Sequence, residues 1–385
     1  MIRCAALLLV LSLTATVVAV ATAYAAEPVP ETQLLFASTG KPPYPRYRIP
    51  ALILTPQGTL LAFCEGRRAG KGLIGDIDIV LRRSKDNGQT WSEQELVADD
   101  GTDTLGNPCP VIDQKTGTLW LLLTVSPGEL SEEQITEGAA KLGTRVLVTS
   151  STDDGVTWAK PRDITPAAKR PEWTWYGTGP GVGIQLTSGR LFIPSYHAEP
   201  KTKTYRSHSL FSDDAGKSWQ IGKSLGDDTS ESAALQRADG SLYYSARTVV
   251  GKNERSFGNS TDEGKTFDAV GFDATLYDSH CQASLLALSP AAIAKLAAAN
   301  ETIDKSKPLW LYCYPAGPER RNLTFRSSTD EGRTWSHPML LHAGDSQYSS
   351  LAELPDGTIG CLFESWTDNN YQLYFARMPL AWFAN

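Results

Sequence analysis

One pattern of eight residues, Ser-x-Asp-x-Gly-x-Thr/Ser-aromatic, returns five times and limits what this chain can fold into. It stands at Ser84 to Trp91, Ser151 to Trp158, Ser212 to Trp219, Ser260 to Phe267 and Ser328 to Trp335. Each copy makes sense as a hairpin turn. Asp and Ser side chains bond to the turn backbone, Gly takes the positive φ, and the aromatic packs beneath. Repeats spaced by roughly 50 to 70 residues point to a propeller or a similar array. The boxes alone do not give a function, because they are turn chemistry at a rim.

The stretches between the boxes carry six hairpin signals: an apolar run, a turn usually marked by Gly, and a second apolar run. Ala51–Leu54 is followed by Leu60–Phe63, Pro110–Ile112 by Leu119–Leu123, and Gly183–Leu186 by Leu191–Ile193. Ala233–Leu235 precedes Leu242–Tyr244, Ser284–Leu288 precedes Leu309–Tyr312, and Leu351–Leu354 precedes Ile359–Phe363. A further strand follows each hairpin, as at Ile77–Arg82 or Leu323–Arg326, and five of these lead into a box. The last, Tyr371–Arg377, has no box. The pattern predicts an all-β, six-bladed β-propeller with Asp-box turns, with Leu34–Phe36 completing the last blade. One short helix is inserted in the fifth hairpin, where Ser289 serves as N-cap, Pro290 as first residue and Ala-rich residues 291–299 as body.

Arg3, the apolar run from Ala5 to Val20 and the small residues at Ala23-Tyr24-Ala25 read as a cleavable export signal over residues 1–26. The alternative is an uncleaved anchor, for which the run is short against a bilayer core of about 30 Å. The mature chain, 27–385, is then one closed propeller, secreted or periplasmic, with no membrane span. Its cysteines, Cys64, Cys109, Cys281, Cys313 and Cys361, are odd in number, widely spaced and set in apolar runs. They read as buried single thiols, with one disulfide as the alternative. A net charge of −7 argues against nucleic acid as a partner, so any anion site must be a local arginine cluster. No cysteine or histidine spacing suggests a metal, and nothing calls for a cofactor.

Several further segments stand in a fixed order. They are Tyr47-Arg48-Ile49-Pro50, Ala62 to Arg67, Asp76 to Ser84, Asn107-Pro108-Cys109-Pro110, Gly179-Pro180-Gly181, Cys281-Gln282-Ala283-Ser284, Arg320-Arg321-Asn322-Leu323 and Tyr348-Ser349-Ser350-Leu351. With the boxes, this set resembles the sialidases (exo-α-sialidases, or neuraminidases) with Asp-box or BNR repeats, from about Leu34 to about Pro379. The resemblance implies three arginines from distant strands that hold a substrate carboxylate: Arg48, Arg247 and Arg320. Arg320 is preferred over Arg321 because its offset from Asn322 fits the family. Guanidinium suits the task, since its planar donors meet a carboxylate two at a time and stay charged. The resemblance also implies a nucleophile, Tyr348, relayed by Glu231. A neutral phenol is not repelled by the substrate's own carboxylate, as a carboxylate nucleophile would be. Arg67 matches the arginine near the sugar's C4, and Glu132 and Tyr196 match lesser pocket positions. The implied partners are sialylated glycans or glycolipids.

One position departs from the family. An Asp is expected as general acid/base on the loop after Arg67, and counting back from Asp76-Ile77-Asp78 its slot holds Leu73. Leucine can neither donate nor accept a proton, and loss of a general acid costs about 10²–10⁴-fold for a poor leaving group. Asp76 can be recruited in its place, or the enzyme can act on good leaving groups or on a related sugar acid. The remaining readings are a propeller that binds sialic acid without cleaving it, a lyase, or an interaction propeller that has lost the site.

Overall fold

The computed structural model describes residues 30–41, 43–68, 75–141, 143–200, 204–367 and 369–384. The expected export signal over 1–26 and the substituted position Leu73 lie outside them. Strands dominate, and all six anticipated hairpins form as antiparallel pairs. Arg46–Leu54 pairs with Leu60–Arg67, Thr104–Asp113 with Thr118–Ser126, and Ile184–Gln185 with Leu191–Ala198. Thr229–Gln236 pairs with Leu242–Thr248, Ser284–Ala287 with Trp310–Pro315, and Ser349–Glu353 with Ile359–Thr367. The result is an all-β propeller.

Six separate blades are not what the hydrogen bonding gives. Four sheets have blade size, three of four strands and one of five, and the remaining strands form a single sheet of eight. A lone parallel pair, Ile77 with Thr104, joins strand Ile77–Ser84 to Thr104–Asp113 and runs two antiparallel meanders together. As expected, Glu31–Phe36 completes the last sheet by pairing antiparallel with Asn370–Met378. The inserted helix spans Pro290–Ala299, with the Ser289 hydroxyl accepting from the Ala292 amide at 3.1 Å. It is not the single helix anticipated. Glu132–Thr136 is a second, started by a reciprocal capping box between Ser131 and Gln134, and Thr165–Ala168 is a third with Pro in its first turn.

The core lies between sheets. Leu52, Leu60 and Ala62 pack with Leu362, Leu373 and Phe375 of the last sheet, and Ala51, Leu61 and Phe63 with Leu119, Leu121 and Leu123 of the following meander. All five described cysteines are buried free thiols. Among the described residues no helix is long and apolar enough to cross a membrane.

The boxes fold alike. In the first, Asp86 accepts from the Ser84 hydroxyl at 2.7 Å, the Thr90 amide at 2.9 Å and the Thr90 hydroxyl at 2.6 Å. Gly88 has φ +77°, and a Cβ there would lie 2.2 Å from the Phe375 ring of the neighbouring sheet, so only glycine lets the turn seat. Trp91 meets the same ring edge-on at 5.0 Å. Each turn therefore also joins a meander to its neighbour. Donation from Thr157, then from Ser151, holds the Asp153 carboxyl at about 2. In the other four boxes burial pushes the carboxyl up and the same kind of donors outweigh it. Folded values below an unfolded value of about 3.9 mean stabilisation that is full above that pH and lost as pH falls towards about 2. The thermal midpoint, scanned by calorimetry from pH 5 to pH 2.5, is expected to fall across this window. In Asp153→Asn it should start lower and fall less; equal slopes would exclude this box from the acid response.

Candidate active site

The registers decide where the chemistry collects. Arg46 lies opposite Arg67, and Arg67 opposite Ile77, at one end of the first meander, whereas Leu54, Leu60 and Ser84 align at the other. The boxes thus occupy one end of the strands, and Arg48 and Arg67 the opposite end. There a cavity of about 290 Å³ opens, lined by Arg48, Arg67, Glu132, Tyr196, Glu231, Arg247, Arg320 and Tyr348. Eight of the nine residues singled out in the sequence are brought together. The ninth, Asp76, is not among the lining residues. Its Oδ1 lies 3.7 Å from Arg68 Nε. Burial and the neighbouring Asp78 raise its carboxyl pKa, against the pull of Arg68.

Arg48 is held by a buried carboxylate that the sequence reading did not pick out. Its Nε and Nη2 donate to Glu364 Oε1 and Oε2 at 3.2 and 2.8 Å, and Glu364 is fully buried. The amide of Ile49 donates to the same Oε1 at 2.5 Å. Ile49 has φ +60°, costly for a β-branched residue, at the register break after Arg48. Glu364 so fixes both the guanidinium and the bend that presents it. Burial acts to lower the Arg48 pKa, and Glu364 more than offsets it.

The other two arginines are held more loosely. Arg247 donates from Nη1 to Glu231 Oε2 at 2.9 Å, and its buried Nε has no hydrogen-bond partner. Arg320 donates to Gln347 Oε1 at 2.9 Å and to the His280 carbonyl. The guanidinium carbons of Arg48 and Arg320 lie 5.4 and 5.9 Å from the centroid of the Tyr348 ring, so both flank the phenol. Arg67 is paired with Glu65 at 2.6 Å, and Glu65 also takes the Asn107 amide at 3.1 Å.

Tyr348 donates its hydroxyl to Glu231 Oε1, and both residues are buried. Burial, then the Glu231 carboxylate, hold the phenol well above the ordinary tyrosine range, with Arg247 and Arg320 pulling the other way. The resting phenol is therefore protonated and hydrogen-bonded to a group able to take its proton. Ile49 and Cys281 pack with Tyr348 in one small apolar cluster.

Glu132 starts the second helix and accepts from Tyr205 at 2.8 Å; burial raises its carboxyl pKa, against that hydrogen bond. Tyr196 is buried and packs against the same Tyr205, with ring centroids 6.3 Å apart. Tyr205, Trp175 and Asn107 line the cavity without having been selected from the sequence. Glu364 did carry a signal: an acidic residue directly after the apolar run Cys361-Leu362-Phe363. Among the described residues no three side chains are grouped to hold a metal ion.

A family model for the BNR repeat-like domain matches residues 58–361. The chain is 33% identical over 381 residues to a sialidase of Micromonospora viridifaciens, an alignment that covers 94% of this chain and 57% of the relative. It is 32% identical to Sialidase-3 of Bos taurus, covering 83% of this chain and 86% of that one. Among solved structures it resembles the Hadza microbial sialidase Hz136, with a TM-score of 0.79, 27% identity and coverage of 90% and 68% of the two chains.

Proposed function

This chain belongs to the sialidase family of glycoside hydrolases with BNR repeats, and on that premise we propose that it is a retaining exo-α-sialidase that uses Tyr348 as nucleophile. The observation that carries the reading is the Tyr348 hydroxyl donating to Glu231 in a cavity that also holds Arg48, Arg247 and Arg320. In this reading the three guanidiniums take the carboxylate of a terminal sialic acid, or of a related nonulosonic acid, on a glycan or glycolipid. Glu231 removes the phenol proton as the oxygen attacks the anomeric carbon and the glycosidic C–O bond breaks, the aglycone oxygen leaving with its electron pair and taking a proton from solvent. Water then adds at that carbon as the Tyr348–sugar bond breaks, the water's proton replaces the one the phenol lost, and the sugar leaves with the same configuration. Arg247, bonded to the same carboxylate, links the clamp to the base. The eight-stranded sheet counts as two blades run together, and the enzyme works outside the cytoplasm after loss of residues 1–26.

Leu73 gives the proposal its sharpest test. With leucine in the acid slot and Asp76 held beside Arg68, departure of a poor leaving group lacks a dedicated proton donor. An aryl sialoside, whose phenolate departs unaided, is expected to be cleaved about 10²-fold or more better, relative to a natural sialoglycan, than by a relative with the Asp. Leu73→Asp should narrow that gap. Equal preference in wild type and variant would remove Leu73 from the mechanism. Binding of sialic acid with no cleavage of any sialoside would make the protein a lectin.

A further inference from the structure

Behind the cavity wall, one buried side chain bonds to the backbone next to Tyr348 and to the loop that meets the backbone next to Glu231. Gln282 is 2% exposed and is not among the cavity-lining residues. Its amide grips Ser349, the residue after Tyr348, from both sides: Oε1 accepts from the Ser349 amide at 3.0 Å, and Nε2 donates to the Ser349 carbonyl at 3.0 Å. The same Nε2 also reaches the Pro180 carbonyl at 3.3 Å. One residue earlier, the Gly179 carbonyl accepts from the amide of Ser232, the residue after Glu231, at 3.1 Å. One side chain therefore spans from the strand start that presents the phenol to the loop that anchors the carboxylate.

The clamp is itself held. Its neighbour Cys281 packs on Tyr348, and the Cys281 carbonyl accepts from the buried guanidinium of Arg255 at 2.6 Å. The fit is tight as well, since a Cβ on Gly181 would lie 3.3 Å from Gln282 Nε2. A carboxamide is the side chain that matches a peptide group donor for acceptor, and buried groups left without such partners are costly. Apolar packing would fill the same space without specifying where Ser349 sits.

We infer that Gln282 is a positioning residue: it sets the Tyr348–Glu231 geometry through backbone on both sides and touches no substrate. The inference rests on the catalytic reading of that pair. Gln282→Met keeps the bulk and loses all three hydrogen bonds, whereas Gln282→Glu keeps the acceptor for the Ser349 amide. With an aryl sialoside, kcat is expected to fall about 100-fold in Gln282→Met and about 10-fold in Gln282→Glu, with KM changed by less than about threefold, because small misplacement of reacting groups costs rate before binding. Crystal structures of the folded variants should show the Tyr348–Glu231 separation longer by about 0.5 Å in the methionine variant. A purely structural residue would lower the melting temperature and leave kcat, measured well below it, unchanged. Folded Gln282→Met with wild-type kcat, or with the phenol unmoved, overturns the inference. If the wild type cleaves no sialoside, the catalytic reading falls, and the crystallographic comparison still decides whether Gln282 sets the geometry.

Discussion

Tyr348→Phe is expected to lower kcat on an aryl sialoside by about 10³-fold or more while free sialic acid still binds. The substitution removes one oxygen. The ring keeps its contacts with Ile49 and Cys281, and Glu231 keeps the hydrogen bond from Arg247 Nη1, so the carboxylate is not stranded. The arginines are untouched. Stability should therefore change little, and the loss should appear in kcat rather than in affinity, which steady-state kinetics and calorimetric titration with sialic acid separate. Turnover within tenfold of wild type would show that the phenol is not the attacking group.

Arg48→Met has a different expected signature, because Arg48 serves the fold as well as the proposed carboxylate clamp. Glu364 is fully buried, takes two guanidinium bonds and also secures the Ile49 amide. Removing the arginine leaves that carboxylate without its counter-charge, and breaking such a pair costs about 3–5 kcal/mol. At about 2–4 °C per kcal/mol for a large domain, the melting temperature should fall by roughly 10 °C. Sialic acid binding should be lost too. Arg48→Met combined with Glu364→Gln should recover most of the stability and none of the binding. Arg320→Met offers the contrast: its partners are a neutral amide and a carbonyl, so affinity should drop with a much smaller thermal change. A double variant no more stable than Arg48→Met would show that the cost lies elsewhere than in the stranded charge.

What was legible in the sequence, and what was not, follows from the range of the interactions. The boxes and hairpins are local: Ser84, Asp86, Gly88 and Thr90 bond within six residues of one another, so their spacing is their structure. Pairing between neighbouring runs is nearly as local, and all six hairpins were readable. Blade separation was not, because it turned on one parallel pair between Ile77 and Thr104, and neither residue advertises it. The short helix that places Glu132 beside Tyr205 was missed although Ser131 and Gln134 spell its capping box. The site arginines were found through their likeness to a family. The carboxylate that holds Arg48 lies 316 residues away, so its place at the end of an apolar run hints at burial but not at its partner. Gln282 stood inside a noted motif, but an amide among small residues carries no visible task until Ser349 and Pro180 are in place around it.

Strand Glu31–Phe36 and its partner, Asn370–Met378, come from the two ends of the described residues. The cavity likewise joins early and late stretches, since Arg48 comes from the first meander while Tyr348 and Glu364 come from the last. A nascent chain emerging from the ribosome holds Arg48 early, but the cavity wall lacks Tyr348 until the last meander has been made. The pocket is whole only once the first and last meanders have met, however well the stretch between them has folded.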